Sequence, residues 1–285
     1  MGVTALIFWR NSTLFHFIFL QINKHHMFYL IQQNTWSERN FDNIISTLER
    51  VGLDYEVCRF IPFVHEIEFK TDRKDVWCFG AIKMAHIAQK YGFNPGSMFN
   101  DNHDYEVYAP FYGKNLLNAE AIVMNFSDPL PEDDKWTMFF ARPTKDTKVF
   151  SGQVFMRYSW DEWVAHCIGN DTESIISGET KVIISPLKTI YQEIRCWVVA
   201  GRVVTMSQYK HGTRVHYQNS DHDEEALKFA QEMVDIYQPA RAFVIDICRT
   251  EDGFKIVEIN CINCAGFYDM NFQKLLLALE EEFNV

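Results

Sequence analysis

One hairpin near the C-terminus constrains this chain more than any other stretch. It reads Ala242-Phe-Val-Ile-Asp-Ile-Cys-Arg-Thr-Glu-Asp-Gly-Phe-Lys-Ile-Val-Glu-Ile-Asn260. Two apolar strands flank Glu251-Asp252-Gly253, which suits a three-residue loop with Gly253 in the left-handed conformation. Thr250 then pairs with Phe254, and the register sets Asp246 opposite Glu258. Glu258 and Asn260 are two residues apart, so they share a face. Ionised carboxylates do not enter apolar strands without a partner, because desolvating a charge is costly. Two readings follow. The three side chains converge on a divalent cation, or they form the polar, solvated face of an ordinary hairpin. Oxygen-only donors suit a hard ion such as magnesium, which also takes water and substrate phosphates.

The rest of the composition narrows the partners. The chain has 285 residues, 47% of them hydrophobic, enough for a large core and for one or two domains. Its net charge is −11 and it has no run of Lys and Arg, which argues against a general nucleic-acid binder. Seven cysteines, an odd number, lie mostly in apolar stretches. Free buried thiols in a reducing, cytoplasmic compartment account for them. Cys261 and Cys264 make a lone CxxC with no second ligand pair and no thioredoxin-like setting. Residues 3–22 are rich in Leu, Ile and Phe, but Arg10, Asn11, Ser12, Thr13 and His16 interrupt them. Met27 opens directly onto a strand candidate. Residues 1–26 therefore read as an upstream extension outside the fold, with a membrane anchor as the alternative.

Along the chain, strand candidates at 28–33, 55–61 and 76–79 alternate with helical spacing at 38–50, ended by Gly52, and at 80–91, closed by Gly92. This pattern predicts an α/β N-terminal domain with a parallel sheet over 27–130. Residues 94–114 read as turn-rich and aromatic, and 119–124 as a further strand. A Pro-bearing polar stretch, Ser127 to Asp134, marks a soft boundary. The second unit, 131–285, has strand candidates at 136–141, 181–184, 190–200, 203–209, 242–249 and 254–260. Its helix candidates are 159–168, 222–237 and 271–283, and Gly201-Arg202 reads as a tight turn. That makes the chain α+β with an α/β N-terminal domain. His211, His216 and His222 read as a surface loop.

Four more segments carry possible chemistry. Phe140-Ala-Arg-Pro143 ends a strand and leads through a polar turn to Lys148 and Gly152, a setting suited to phosphates. It lacks the spacing of a P-loop. Arg195 sits mid-strand in Glu193-Ile-Arg-Cys-Trp197 and needs an anion: Glu193, a metal-site carboxylate or a ligand phosphate. Met206-Ser-Gln-Tyr-Lys210 closes the partner strand. Lys181-Val-Ile-Ile-Ser-Pro-Leu-Lys188 breaks at Pro186, leaving free backbone groups suited to an adenine edge.

In this order the segments resemble the ATP-grasp superfamily. Gly80-Ala-Ile-Lys83, Pro95-Gly96, Leu117-Asn118, Arg142-Pro143, Lys148-x-Phe150-x-Gly152, Glu193-x-Arg195, Ser207-Gln-Tyr-Lys210 and Gly266-Phe-Tyr268 narrow the resemblance to a clade found in bacteria and phages, with largely unassigned substrates. It covers roughly Met27 to Phe283. The resemblance implies a fold of two α+β subdomains gripping ATP. It implies Asp246, Glu258 and Asn260 as magnesium ligands, and Lys148 and Arg195 as the catalytic cations. Arg142, Lys148, Lys181, Ile184, Ser185, Leu187, Glu193 and Lys210 would contact ATP. The implied activity is ATP- and Mg2+-dependent ligation of a carboxylate to an amine through an acyl phosphate, on small-molecule or peptide substrates. A kinase-like phosphotransferase or a nucleotide-binding module without catalysis is the alternative.

Overall fold

The computed structural model describes residues 26–35, 37–60, 67–146, 149–169 and 176–284. The reading of 1–26 as an extension thus lies outside the described residues except at His26, whose Nδ1 is 2.8 Å from Glu280 Oε2.

The first sheet is built from β1 (Phe28–Gln32), β2 (Tyr55–Phe60), β3 (Ile67–Glu68) and β4 (Val76–Phe79) in the order β3-β2-β1-β4. β1 runs parallel to both β2 and β4, and β3 is an antiparallel edge. Helix α1 (Glu38–Val51) starts where Ser37 accepts a bond from the Asn40 amide. It stops where Gly52 adopts φ +78°, a conformation a side chain would resist. Helix α2 (Ile82–Tyr91) follows β4 and ends in the same way at Gly92.

The stretch 94–114 contains more order than its turn residues suggest. Helix α3 spans Tyr105–Tyr112 with Pro110 inside it. Tyr105, Tyr108 and Tyr112 are buried, and their spacing of three and then four residues is a helical stripe. Asn100-Asp-Asn102 and Pro110 mask that stripe in the sequence.

The second sheet has the order β5-β8-β6-β7, all antiparallel, from β5 (Ile122–Asn125), β6 (Met138–Pro143), β7 (Gln153–Met156) and β8 (Lys181–Pro186). The boundary drawn at 130/131 cuts this sheet, because β5 is its edge strand. Helix α4 (Arg157–Gly169) covers it, and Phe126, Phe139, Trp136 and Trp160 fill the space between.

The third sheet comprises β9 (Gln192–Val199), β10 (Arg202–His211), β11 (Arg214–Asn219), β12 (Ala242–Thr250) and β13 (Gly253–Asn260), ordered β11-β10-β9-β12-β13. β9 and β10 turn at Ala200-Gly201, with φ of +51° and +72°, one residue earlier than the sequence suggests. Both central residues lie in the left-handed region, which matches the twist of the strands. β11 is exposed along nearly its whole length, so the stretch read as a histidine-bearing loop is an edge strand. Helices α5 (Glu224–Ile236) and α6 (Phe272–Phe283) complete the unit. α6 joins the units, since Leu275, Leu276 and Leu279 share one core with Tyr29 and Trp77 of the first sheet and Trp197 and Val244 of the third. Tyr29 donates to Glu280 across that junction at 2.8 Å.

A buried histidine closes the short 3-10 turn Asp101–His103. His103 Nδ1 lies 3.1 Å from the Asn100 carbonyl. Burial pulls its pKa from 6.5 down to about 4. The unfolded chain therefore takes up a proton that the fold refuses between these values. Stability is full above pH 6.5 and falls as pH drops toward 4, by about 3 kcal/mol in all. We expect urea midpoints to fall accordingly, and His103→Gln to flatten the slope. An unchanged slope in that variant would contradict the assignment.

Candidate functional site

The third sheet sets one row of polar side chains by register. Ser207 pairs with Arg195, Arg195 with Asp246, and Asp246 with Glu258. Directly opposed residues point to the same face. The hairpin turn does not follow the expected three-residue loop. Thr250 pairs with Gly253, and the register shifts by one between Asp246 and Ile247, which pairs with Ile256. The extra residue is Val257, a bulge that restores Asp246 opposite Glu258. Such a bulge re-aims side chains, and both Val257 and Glu258 line the cleft beneath.

Of the three anions available to Arg195, the structure pairs it with the metal-site candidate Asp246. Arg195 Nε donates to Asp246 Oδ1 at 2.8 Å and Nη2 to Oδ2 at 2.7 Å. Both side chains are almost wholly buried, 8% and 1% exposed. Burial disfavours charge on Arg195, but the Asp246 carboxylate holds its pKa well above the ordinary range. Burial also pushes the Asp246 carboxyl up, against the pull of Arg195. A guanidinium does not deprotonate in proteins, so the fork is an ion pair. The rings of Tyr209 and Tyr268 flank the guanidinium at 5.8 and 5.0 Å. Tyr268 adopts φ +51°, a strained backbone of the kind found at ligand sites.

Glu193, two residues from Arg195, accepts from Tyr209 Oη at 2.6 Å and from Lys210 Nζ at 2.9 Å. Across the cleft, β6 ends at Arg142-Pro143. Arg142 donates to the Tyr108 hydroxyl, lies 5.5 Å over the Tyr105 ring and reaches Glu258 Oε2 at 3.5 Å. The two tyrosines belong to α3, so the helix missed in the sequence positions this cation. Glu258 Oε1 accepts from Asn260 Nδ2 at 2.8 Å. A Cβ on Gly152 would sit 2.7 Å from Phe140 Cζ, so only glycine lets this loop lie against β6. Lys148, in the same loop, lies outside the described residues.

These residues enclose one continuous cleft between the second and third sheets. Its largest chamber, about 490 Å³, is lined by Arg142, Glu193, Arg195, Lys210, Asp246 and Glu258. A second, about 260 Å³, continues past Arg142 and Gly152 to Glu258 and Asn260. A third, about 300 Å³, shares Glu193 and Lys210 and ends on Leu117, Val154, Pro186, Leu187 and Ile190.

Three expected ATP contacts are not placed at the cleft. Lys181 is 54% exposed and paired with Glu106 at 3.0 Å, because it starts β8 at the end remote from the hinge. Ile184 and Ser185 are fully buried, since β8 is an inner strand flanked by β5 and β6. The wall at that end is instead Pro186 to Lys188 with Ile190. Leu187 alone of the expected apolar contacts faces the cavity.

Among the described residues no group of three or more His, Cys, Asp or Glu side chains is arranged to hold a metal. Asp246, Glu258 and Asn260 are a different donor set, two carboxylates and an amide. Asp246 Oδ1 accepts one Arg195 bond and keeps a second lone pair. The donors are all oxygen, which fits a hard cation.

Antiparallel sheets facing each other over a polar cleft with an apolar end define an ATP-grasp fold. The chain belongs to an ATP-grasp domain family, the third of its clade, whose model matches residues 100–279. No curated protein matches it. Among solved structures it is similar to D-cycloserine synthetase DcsG, at 13% identity over 90% of this chain and 99% of that one, with a TM-score of 0.57. It is also similar to the ATP-grasp ligase PsnB complexed with a minimal precursor, at 11% identity, 90% and 99% coverage and a TM-score of 0.53. D-alanine–D-alanine ligase from Bacillus anthracis complexed with ATP matches at 10% identity, 91% and 97% coverage and a TM-score of 0.51. At these identities the likeness concerns the fold. No helix among the described residues is long and apolar enough to cross a membrane.

Proposed function

We propose that this protein is an ATP- and magnesium-dependent ligase that joins a carboxylate to an amine through an acyl phosphate. The observation that carries the reading is the polarity of the cleft. Its apolar end, from Leu117 to Ile190, suits a purine. Arg142, Arg195 and Lys210 then stand along the path a triphosphate would take toward Glu258 and Asn260. Lys148 is assigned to the same phosphates on the sequence pattern alone.

Magnesium held by Glu258, Asn260 and Asp246 would offset charge on the phosphates. The chain's own residues do the rest. Arg142, fixed by Tyr105 and Tyr108, gives one cation in a set place. Lys210, paired with Glu193, gives another. Arg195 fixes Asp246 and keeps that carboxylate ionised. A substrate carboxylate attacks the terminal phosphorus and ADP leaves; the amine then attacks the acyl carbon and phosphate leaves. No protein nucleophile takes part, so rate comes from positioning and charge stabilisation.

A panel of amino acids and short peptides with ATP and magnesium tests this. Phosphate release stimulated by a carboxylate–amine pair, with a condensed product, is expected. A phosphorylated hydroxyl product would make the protein a kinase. No stimulation and no calorimetric ATP binding would end the reading.

A further inference from the structure

The strand that carries Glu258 and Asn260 runs straight into the CxxC pair, which the ATP site does not use. Cys261 is fully buried and Cys264 half-buried, and the two are not joined as a disulfide. The Cys264 amide bonds the Cys261 carbonyl at 3.2 Å, closing the short 3-10 turn Ile262–Cys264. A turn closed in this way holds its end Cα atoms within about 7 Å. Unstrained disulfides need about 4.4 to 6.8 Å. The thiols already meet, since a hydrogen bond links Cys264 to Cys261.

The same turn ties the metal-end strand to the first sheet. Asn263 donates to the Cys78 carbonyl at 2.6 Å and accepts from the Met98 amide at 2.7 Å. Its own carbonyl accepts from Gly80 at 2.9 Å. Cys261 Sγ donates to Asn263 Oδ1 at 3.4 Å and lies 3.9 Å from Ser97 Oγ.

We propose that Cys261 and Cys264 are a dithiol modification site, oxidised to a reversible disulfide by low-molecular-weight disulfides of the glutathione type, and that this oxidation slows turnover in the adjacent cleft. The half-buried Cys264, as thiolate, attacks one sulfur of the oxidant and expels one thiol. The Cys261 sulfur then attacks Cys264 in the mixed disulfide and expels the second. Two protein thiols lose two protons and two electrons, and the oxidant becomes two thiols. Bond formation brings the sulfurs to about 2.05 Å, drawing Cys261 away from Asn263 and Ser97. Cys261 is peptide-bonded to Asn260, and shifts of about 1 Å near reacting groups cost up to about a hundredfold in rate. The rate effect rests on the proposed ATP-dependent activity; the disulfide itself does not.

The test incubates the full chain with glutathione disulfide, alkylates remaining thiols and maps peptides by mass. The expected product is a 261–264 peptide lighter by two hydrogens, restored by dithiothreitol and absent in Cys264→Ser. Turnover falls at least about tenfold in the oxidised protein and recovers on reduction, while Cys264→Ser stays active in oxidant. Both thiols remaining alkylable, or a stable glutathione adduct on Cys264 of the unaltered chain, would overturn the site. A disulfide that leaves turnover unchanged would overturn the switch. If the reduced protein shows no turnover with any substrate, the ligase reading fails, while the peptide map still decides the disulfide.

Discussion

Glu258→Gln is expected to lower ATP turnover about a hundred- to a thousandfold, the usual effect of removing one charge that a polar transition state needs. The fold should hardly notice. Glu258 is 29% exposed at the mouth of the cleft, and glutamine keeps an oxygen to accept from Asn260 Nδ2. Its contact with Arg142 is long, at 3.5 Å, and Arg142 has Tyr108 and the Tyr105 ring as other partners. A partly exposed ion pair contributes about 1 kcal/mol at most. The pair of measurements is a urea unfolding curve and phosphate release from ATP with magnesium. Full turnover in this variant would remove Glu258 from the metal site. Lost turnover with an unfolded protein would show that Glu258 is structural instead.

The hairpin shows what a sequence carries and what it does not. Alternation and spacing are enough to place Asp246 opposite Glu258, and the register agrees. The route differs: a shorter turn is offset by the bulge at Val257, two departures that cancel. Bulges have no composition signal of their own, so the agreement owes something to chance. Glu193-x-Arg195 and Lys210 are legible because charge in an apolar strand demands a partner. The partner of Arg195 is not, since three anions are equally available in sequence. Tyr105 and Tyr108 are hidden because Pro110 and the Asn-rich lead-in outweigh the tyrosine stripe in a local reading. β11 escapes because an edge strand exposed on both sides has no hydrophobic alternation to reveal it. Lys181, Ile184 and Ser185 are assigned by their position in a pattern, and pattern does not tell an inner strand from its end.

Asp246 makes the opposite prediction from Glu258, although both are expected metal ligands. Asp246→Ala should lose turnover and also destabilise the protein by about 3–5 kcal/mol, because it leaves the Arg195 guanidinium buried without its anion. Arg195 is 7% exposed overall, and its further acceptor among the described residues is the Gly266 carbonyl, a weak one at 3.4 Å. Arg195→Leu should be as damaging, for it strands the carboxylate. The double variant Arg195→Leu with Asp246→Leu separates the two roles. Both charges then leave the interior together, and apolar replacement of a buried pair is often neutral or stabilising. Urea unfolding should return most of the lost stability, while ATP turnover stays absent. If the double variant remains as unstable as either single one, the fork matters through packing with Tyr209 and Tyr268 rather than through charge. If it turns over ATP, neither residue belongs to the reaction. The expected split follows from one fact of the sheet: the register that delivers Asp246 to the cleft also seats Arg195 beside it, so the charge required at the site is held in place by the fold.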